Sequence, residues 1–153
     1  MYPRVLSILY VFIIISLAGC SQKSRDSSFD ARKIQSVDAL CQKFLTSLQK
    51  RDYKAALQMS AGDRVLSQPD VQAFSVQDIK TASGVAEQLI GDPRNWSWEL
   101  GGKDVRKADG AEWVTLVYKI RGNRNSGLFS FQCIDNQGDW EIRYFQFNGS
   151  SKG

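Results

Sequence analysis

Three cysteines are the most reactive side chains in this 153-residue chain, which has no histidine. A thiolate is the strongest nucleophile among the side chains near neutral pH, so each cysteine is a candidate for covalent chemistry. The lack of histidine excludes serine triads that use it, histidine acid–base catalysis and histidine metal sites. Cys41 and Cys133 lie too far apart in sequence for zinc-site spacing, so we expect no metal and no cofactor.

Cys20 follows an apolar segment, Val5–Leu17, and the small residues Ala18 and Gly19. The segment is shorter than the roughly 20 residues that span a bilayer and has the length of a signal-peptide core. Residues 17–20 (LAGC) resemble the lipobox of bacterial lipoproteins at all four positions. The resemblance implies cleavage between Gly19 and Cys20, and acylation of Cys20 by fatty acids such as palmitate, which would attach the protein to a membrane. An uncleaved membrane helix is the alternative.

The expected divisions are a cleaved signal peptide over 1–19, the lipidated cysteine with a flexible tether over 20–32, one domain over 33–148 and a tail over 149–153. Because Ser21 and not Asp follows the cysteine, the resemblance implies the outer membrane, facing the periplasm, in a cell with two membranes. In a cell with one membrane it implies the outer face of that membrane. Signal removal takes only Arg4 from 20 basic residues, against 16 acidic ones, so no nucleic acid partner is expected.

Hydrophobic periodicity predicts helices first and strands afterwards. The helices are expected from Ala31 or Val37 to Lys50, with Ser36 as a candidate N-cap, and over 53–59 and 76–89. From Asn95 the period changes to two, and Gly and Asp turns separate segments at 95–100, 104–108, 112–120, 128–134 and 140–147. The prediction is an α+β fold, with N-terminal helices packed on a curved antiparallel meander of about four or five strands.

The two downstream cysteines are a candidate disulfide. Cys41 lies in the apolar stripe of the first helix, and Cys133 shares one strand face with Phe129 and Phe131. If that face is inward, both thiols enter the helix–sheet core, and an oxidising compartment would favour a bridge. Two buried free thiols are the alternative.

The order of elements resembles the nuclear transport factor two-like superfamily, with a cystatin-like arrangement as its near neighbour. The resemblance covers Ile34 to Phe147 and rests on the amphipathic first helix, the RDYKAA stretch from Arg51 and the GDWEI stretch at 138–142. It implies a cone-shaped pocket between the curved sheet and the helices. Such folds host enzymes, ligand binders and interaction modules alike, so the fold does not determine the activity.

Five aromatic side chains are the candidate lining of a pocket for a small apolar ligand, and an ordinary aromatic core is the alternative. They are Trp98, Trp113, Tyr118, Phe129 and Phe131.

An enzyme would use Glu99 or Glu112, each beside a tryptophan, as a general base. We expect both to be surface carboxylates and name no catalytic residue. The loop over 121–127 places Arg121 and Arg124 where they could contact an anion or an acidic partner. A solvated hairpin loop is the alternative.

Both faces of the predicted strands carry large apolar residues, so we expect the face away from the helices to be covered by a second copy or by another envelope protein. The interpretation is a membrane-anchored cell-envelope lipoprotein that acts as a non-enzymatic binding or interaction module. One alternative is a small-ligand-binding or isomerase-like enzyme with a pocket carboxylate. Another is an accessory structural lipoprotein of a secretion or conjugation apparatus.

Overall fold

The computed structural model describes residues 27–60 and 74–149. Three helices, α1 (Ser27–Gln49), α2 (Tyr53–Gln58) and α3 (Val76–Ile90), and a 3-10 turn (Pro93–Asn95) precede four strands. The strands are β1 (Ser97–Ala108), β2 (Ala111–Arg121), β3 (Ser126–Asn136) and β4 (Asp139–Gly149). This order confirms the predicted α+β fold. The predicted signal peptide, Gly19, Cys20 and all but the first residue of the tail lie outside the described residues.

The sheet is an antiparallel meander in the order β1-β2-β3-β4. Two-residue turns at Asp109-Gly110 and Gln137-Gly138 have positive φ at both positions, the pattern that matches the twist of flanking strands. Irregular pairing between Leu100 and Gly102, and between Gln132 and Cys133, bends the sheet. The predicted break after Leu100 was therefore wrong, because the glycines form a bulge within one strand.

The first helix begins earlier than predicted. It starts at Ser27, inside the segment expected to be a flexible tether. Ser36, the candidate N-cap, lies within the helix, and its hydroxyl donates to the carbonyl of Arg32. Tertiary contacts favour the earlier of the two predicted starts, Ala31, over Val37, since Ile34 packs against the core and Lys33 pairs with Glu112 at 2.5 Å. These contacts stabilise a turn that has weak helical periodicity in sequence.

The helix starts predicted from capping residues are confirmed. The Asp52 side chain accepts a hydrogen bond from the Ala55 amide at the start of α2. Ser75 and Asp78 form a reciprocal capping box at the start of α3. Each pair satisfies backbone donors that the first helical turn leaves unpaired.

All described helices pack on one face of the sheet, which we call the inner face. Phe44 of α1 contacts Phe131 and Phe145, with ring centroids 5.5 and 5.2 Å apart. The core draws its strand residues from alternate positions, and in β2 these are Val114, Leu116, Tyr118 and Ile120, all fully buried. The opposite side of the sheet, which carries no described helix, is called the open face. Among the described residues no helix is long and apolar enough to cross a membrane.

Candidate functional site

The five aromatic residues predicted to line a pocket do not surround one cavity. Tyr118, Phe129 and Phe131 are fully buried in the core. Trp98 is half-buried against the edge of that core, and Trp113 is half-buried on the open face. Alternation along β2 explains why Trp113 is separate from the buried rings. It precedes the inward-facing Val114 and therefore points to the open face.

The three buried rings contact one another. The Tyr118 and Phe131 centroids are 5.8 Å apart, edge to face, and Phe129 stacks on Phe131 at 6.1 Å. Trp96 adds a contact to Phe129 at 6.0 Å. These spacings are typical of packed aromatic cores. Among the described residues these three rings pack against one another, Phe44 and Trp96, as in the ordinary aromatic core that was the alternative; the pocket lining stays a prediction.

The two candidate bases are engaged in ion pairs. Glu112 binds Lys33 at 2.5 Å, and both side chains are largely buried. Glu99 lies on the surface and binds Arg121 at 2.8 Å. Among the described residues no cluster of three or more His, Cys, Asp or Glu side chains could hold a metal ion.

The two core cysteines meet between α1 and β3. Their Sγ atoms are 3.9 Å apart, and both residues are fully buried. They are free thiols in the structure, so the predicted disulfide is not formed in it. The separation is a sulfur–sulfur contact, well beyond the roughly 2.05 Å of a bond. The hydrogen bond with Cys133, together with burial, raises the pKa of the Cys41 thiol above its ordinary value and keeps it protonated.

A polar contact lies beside this thiol pair. The Tyr118 hydroxyl donates to the Asp38 carboxylate, and the other Asp38 oxygen accepts from Gln42 at 2.9 Å. Burial raises the pKa of Tyr118, and the bond to Asp38 raises it further. A phenol held neutral by burial and bonded to a carboxylate is a structural link between α1 and the sheet.

The open face carries apolar side chains interspersed with polar ones, such as Ser130 and Gln132 of β3. The exposed fractions of Leu128 and Tyr144 are 42% and 43%. Trp113, Val117 and Ile134 are half-buried around them. Leu128 lies toward the distal end of this face, directly opposite Lys119 of β2, and Trp113 pairs with Ile134 toward the other end. The predicted two-sided character of the sheet is therefore present in the structure.

The loop after β2 packs on the end of α3. The Arg124 amide donates to the Ile90 carbonyl at 3.1 Å, which satisfies an acceptor that the helix leaves free. Gly91 has φ of 101°, and a Cβ there would lie 1.7 Å from the Asn123 Oδ1 atom. A Cβ at Gly122 would lie 2.1 Å from the Ile90 carbonyl oxygen. The loop is thus anchored on α3, unlike the solvated hairpin that was the alternative.

A cavity of about 510 Å³ opens between this loop and α3. Its walls combine opposite charges with amides and are formed by Gly84, Glu87, Gln88, Asp92, Asn123 and Arg124. The sequence analysis missed this cavity. The only sequence feature near it is Gly91-Asp92-Pro93, which predicts the end of α3. That feature does not predict that the loop after β2 packs on this end of the helix.

The cavity carboxylates already have cationic partners. Glu87 binds Arg51 at 2.6 Å, and Asp92 binds Arg94 at 2.5 Å. The hydrogen bonds from Arg94 lower the pKa of Asp92 to about 2. Of the two predicted contact arginines, Arg121 is paired with Glu99, whereas Arg124 has no ion-pair partner among the described residues and faces the cavity.

Comparisons with known proteins show the fold. No protein-family model matches the chain, and no curated protein matches its sequence. A protein of unknown function with a cystatin-like fold from Nostoc punctiforme is 14% identical, with a TM-score of 0.51 over 77% of this chain and 91% of that one. A protein of unknown function from Mycobacterium tuberculosis is 11% identical, with a TM-score of 0.53 over 82% and 76%. An NTF2-like protein of unknown function from Pseudomonas putida is 11% identical, covers 77% and 87%, and has a TM-score of 0.47. The chain therefore shares its α+β architecture with a cystatin-like protein, at identities that show the fold alone.

Proposed function

We propose that this chain is a lipid-anchored cell-envelope protein that works by binding another protein through the open face of its sheet, and not by catalysis. The observation that carries the proposal is the set of partly exposed apolar side chains spread over β2, β3 and β4 on that face. They are Trp113, Val117, Leu128, Ile134 and Tyr144. Apolar side chains grouped on one surface are typical of interaction sites.

The size of the face fits one protein partner. Four strands of about 11 residues, at about 3.4 Å per residue and about 4.8 Å between strands, cover roughly 700 Å². A standard interface buries about 800 Å² on each partner. The partner is a second copy of the chain or another envelope protein, and the face offers enough area for either.

Two features of the interior support binding over catalysis. The space between helices and sheet is occupied by packed rings of Phe44, Tyr118, Phe129 and Phe131. Glu112, the more buried of the two candidate bases, is held by Lys33. A general base must reach a substrate proton, and a largely buried carboxylate bound to an ammonium group is poorly placed to do so.

The lipid anchor rests on the sequence pattern around Cys20. Acylation is tested by feeding an alkyne-bearing palmitate analogue to cells that express the full chain and a Cys20→Ala variant. The full chain should become labelled and fractionate with membranes, and the variant should do neither. Equal labelling of the full chain and of Cys20→Ala would contradict acylation at Cys20.

The open face is tested by photocrosslinking in the same cells. A benzoylphenylalanine at position 128 should crosslink at a rate well above one at position 85. Leu128 and Val85 are matched, with 42% and 45% exposure, but Val85 lies on α3. A product of twice the chain mass identifies a homodimer, and any other discrete mass identifies a different envelope protein. Equal crosslinking from both positions would contradict the proposal.

A further inference from the structure

The domain has two ends along the axis of α1. We call the end near the start of α1, and so nearer in sequence to Cys20, the proximal end, and the opposite end the distal end. The proximal end holds the start of α1, which Lys33 ties to Glu112 at the start of β2, and the turns at 109–110 and 137–138. The distal end holds the last turn of α1, the end of α3, the 122–125 loop and the 510 Å³ cavity. Gln49 marks this end of α1, because its amide donates to the Trp96 carbonyl at 2.7 Å.

The described charges are distributed unevenly between these ends. The distal end has six basic side chains, Lys50, Arg51, Arg94, Lys119, Arg121 and Arg124, and four acidic ones, Asp52, Glu87, Asp92 and Glu99. Lys103, Asp104 and Arg143 lie nearer the middle of their strands and are not counted; the proximal end then has four basic side chains, Arg32, Lys33, Arg106 and Lys107, and six acidic ones, Asp30, Asp109, Glu112, Asp135, Asp139 and Glu141. The distal end therefore has a positive balance and the proximal end a negative one, which favours an acidic partner at the distal end.

The chain length between Cys20 and α1 limits how the domain can turn. Six residues, 21–26, separate Cys20 from Ser27, and the seven residue steps between the two span at most about 24 Å in any conformation. The 23 residues of α1 extend about 34 Å. If α1 pointed at the bilayer, its far end would have to enter the membrane even with the tether fully stretched. Orientations in which α1 points steeply at the bilayer are therefore excluded, and over the remaining orientations the distal end lies on average farther from the membrane than the start of α1.

We infer that the distal end is a docking site for an acidic polypeptide that approaches from the side away from the membrane, with Arg124 as its principal contact. This inference rests on the lipid attachment proposed above. Arg124 has no acidic partner among the described residues, and its guanidinium can bind a carboxylate through two parallel hydrogen bonds. The neighbouring amides of Gln88 and Asn123 can bond to the peptide groups of an extended chain.

The geometry favours a polypeptide over an anionic lipid. Lipid phosphates of the anchoring membrane would reach Arg124 only when α1 lies along the surface or tilts toward it, and the short link from Cys20 excludes the steeper of these orientations. The carboxylates of Glu87 and Asp92 are paired with Arg51 and Arg94, so they repel an acidic chain less than free carboxylates would. Binding should consequently weaken as salt screens the charges.

Orientation is measured on the full-length, lipidated protein in vesicles of phosphatidylethanolamine and phosphatidylglycerol in a 3:1 ratio. Donor dyes are placed on Asn148→Cys at the distal end or Asp139→Cys at the proximal end, both exposed positions of β4. Energy transfer to a lipid-bound acceptor should be clearly stronger from position 139. Equal transfer, or stronger transfer from position 148, would show that the distal end meets lipid and would overturn the inference.

Binding is measured on the same vesicles by the fluorescence anisotropy of a fluorescein-labelled hexaglutamate peptide. Arg124→Glu should weaken binding about tenfold, the loss typical of one charge-assisted contact. Arg106→Glu at the proximal end makes the same charge change and should alter binding less than twofold. If both variants weaken binding equally, or neither does, the docking site is not at Arg124. Arg124→Gln, with a melting temperature as the folding check, separates loss of contact from loss of structure.

Failure of the anchor and failure of the docking site give different results. If Cys20 is not acylated, the protein will not associate with vesicles, yet soluble protein will still distinguish Arg124→Glu from Arg106→Glu in peptide binding. If the docking site is wrong, vesicle association persists and the two variants bind alike. In that second case photocrosslinking from position 128 still tests the open face independently.

Discussion

Replacing Tyr118 with phenylalanine tests the polar link between α1 and the sheet. The substitution removes one buried oxygen, which donates to Asp38, and keeps the ring that packs at 5.8 Å on Phe131. Asp38 retains the hydrogen bond from Gln42 at 2.9 Å. The change therefore isolates one hydrogen bond and creates almost no cavity.

The expected cost follows from the acceptor. A hydrogen bond to a charged group contributes about 1.5–3 kcal/mol. Because Asp38 is only half-buried and keeps Gln42, water can partly replace the lost donor, and we expect about 1.5–2 kcal/mol. For a domain of this size that is a fall in melting temperature of about 5–10 °C.

Urea unfolding of residues 21–153, followed by circular dichroism, measures the free energy of unfolding. Tyr144→Phe is the matched control, because Tyr144 is 43% exposed and donates to Gln146 at 3.0 Å on the open face. Surface changes of this kind stay within about 0.5 kcal/mol. If Tyr118→Phe costs no more than Tyr144→Phe, the link between α1 and the sheet does not stabilise the fold.

Tyr118 also predicts that the folded state becomes less stable at alkaline pH. Burial raises the pKa of Tyr118 in the folded state above the ordinary value of 10.0. The unfolded state loses this proton first, so the stabilisation is complete below about pH 10 and falls as the pH rises further. Tyr118→Phe should remove that part of the decline. If Tyr118→Phe loses stability above pH 10 as steeply as the original protein, groups other than Tyr118 cause the loss.

Three further predictions concern the cavity and the core thiols. The Asp92 carboxylate should titrate near pH 2 by carbon-13 NMR, so its contribution to stability is present above pH 3.8 and lost toward pH 2; a pKa near 3.8 would contradict the Arg94 contact. Gly91→Ala should lower the melting temperature, because its φ and the nearby Asn123 exclude a Cβ, whereas Gly84→Ala, with open space, should raise stability by about 1 kcal/mol; equal effects would refute the loop packing. The core thiols should resist iodoacetamide in the folded protein and react after unfolding in urea without reductant; two unreactive cysteines after unfolding would show a bridge.

Much of the fold was predictable from local patterns. The caps at Asp52 and Ser75, the Asp109-Gly110 turn and the change of period after Asn95 each depend on neighbours within a few residues. Backbone donors at a helix start and the twist of a two-residue hairpin are local requirements, so sequence shows them directly. Sequence left open whether α1 starts at Ala31 or Val37, because contacts such as the Lys33–Glu112 ion pair, which joins residues 79 positions apart, are not visible in a local pattern.

Local patterns did not predict which aromatic side chains form the core. Alternation shows that Trp113 and Val114 point to opposite faces, but it does not show which face the helices cover or what fills the space beneath them. Tyr118, Phe129 and Phe131 would have the same pattern in a hollow cone and in a packed core. Only the placement of Phe44 and Trp96 decides between them, because packing depends on residues from distant elements.

The sequence alone determined the class of fold, the apolar and polar faces of its strands and the lipobox pattern at Cys20, since these depend on spacing and residue type within short windows. Tertiary structure decided that Cys41 and Cys133 meet as free thiols at 3.9 Å, that Glu112 is bound by Lys33, and that Arg124 faces a cavity at the end of α3. The physical reason is that each of these contacts joins side chains brought together only when the helices pack on the sheet, and no local pattern specifies that pairing.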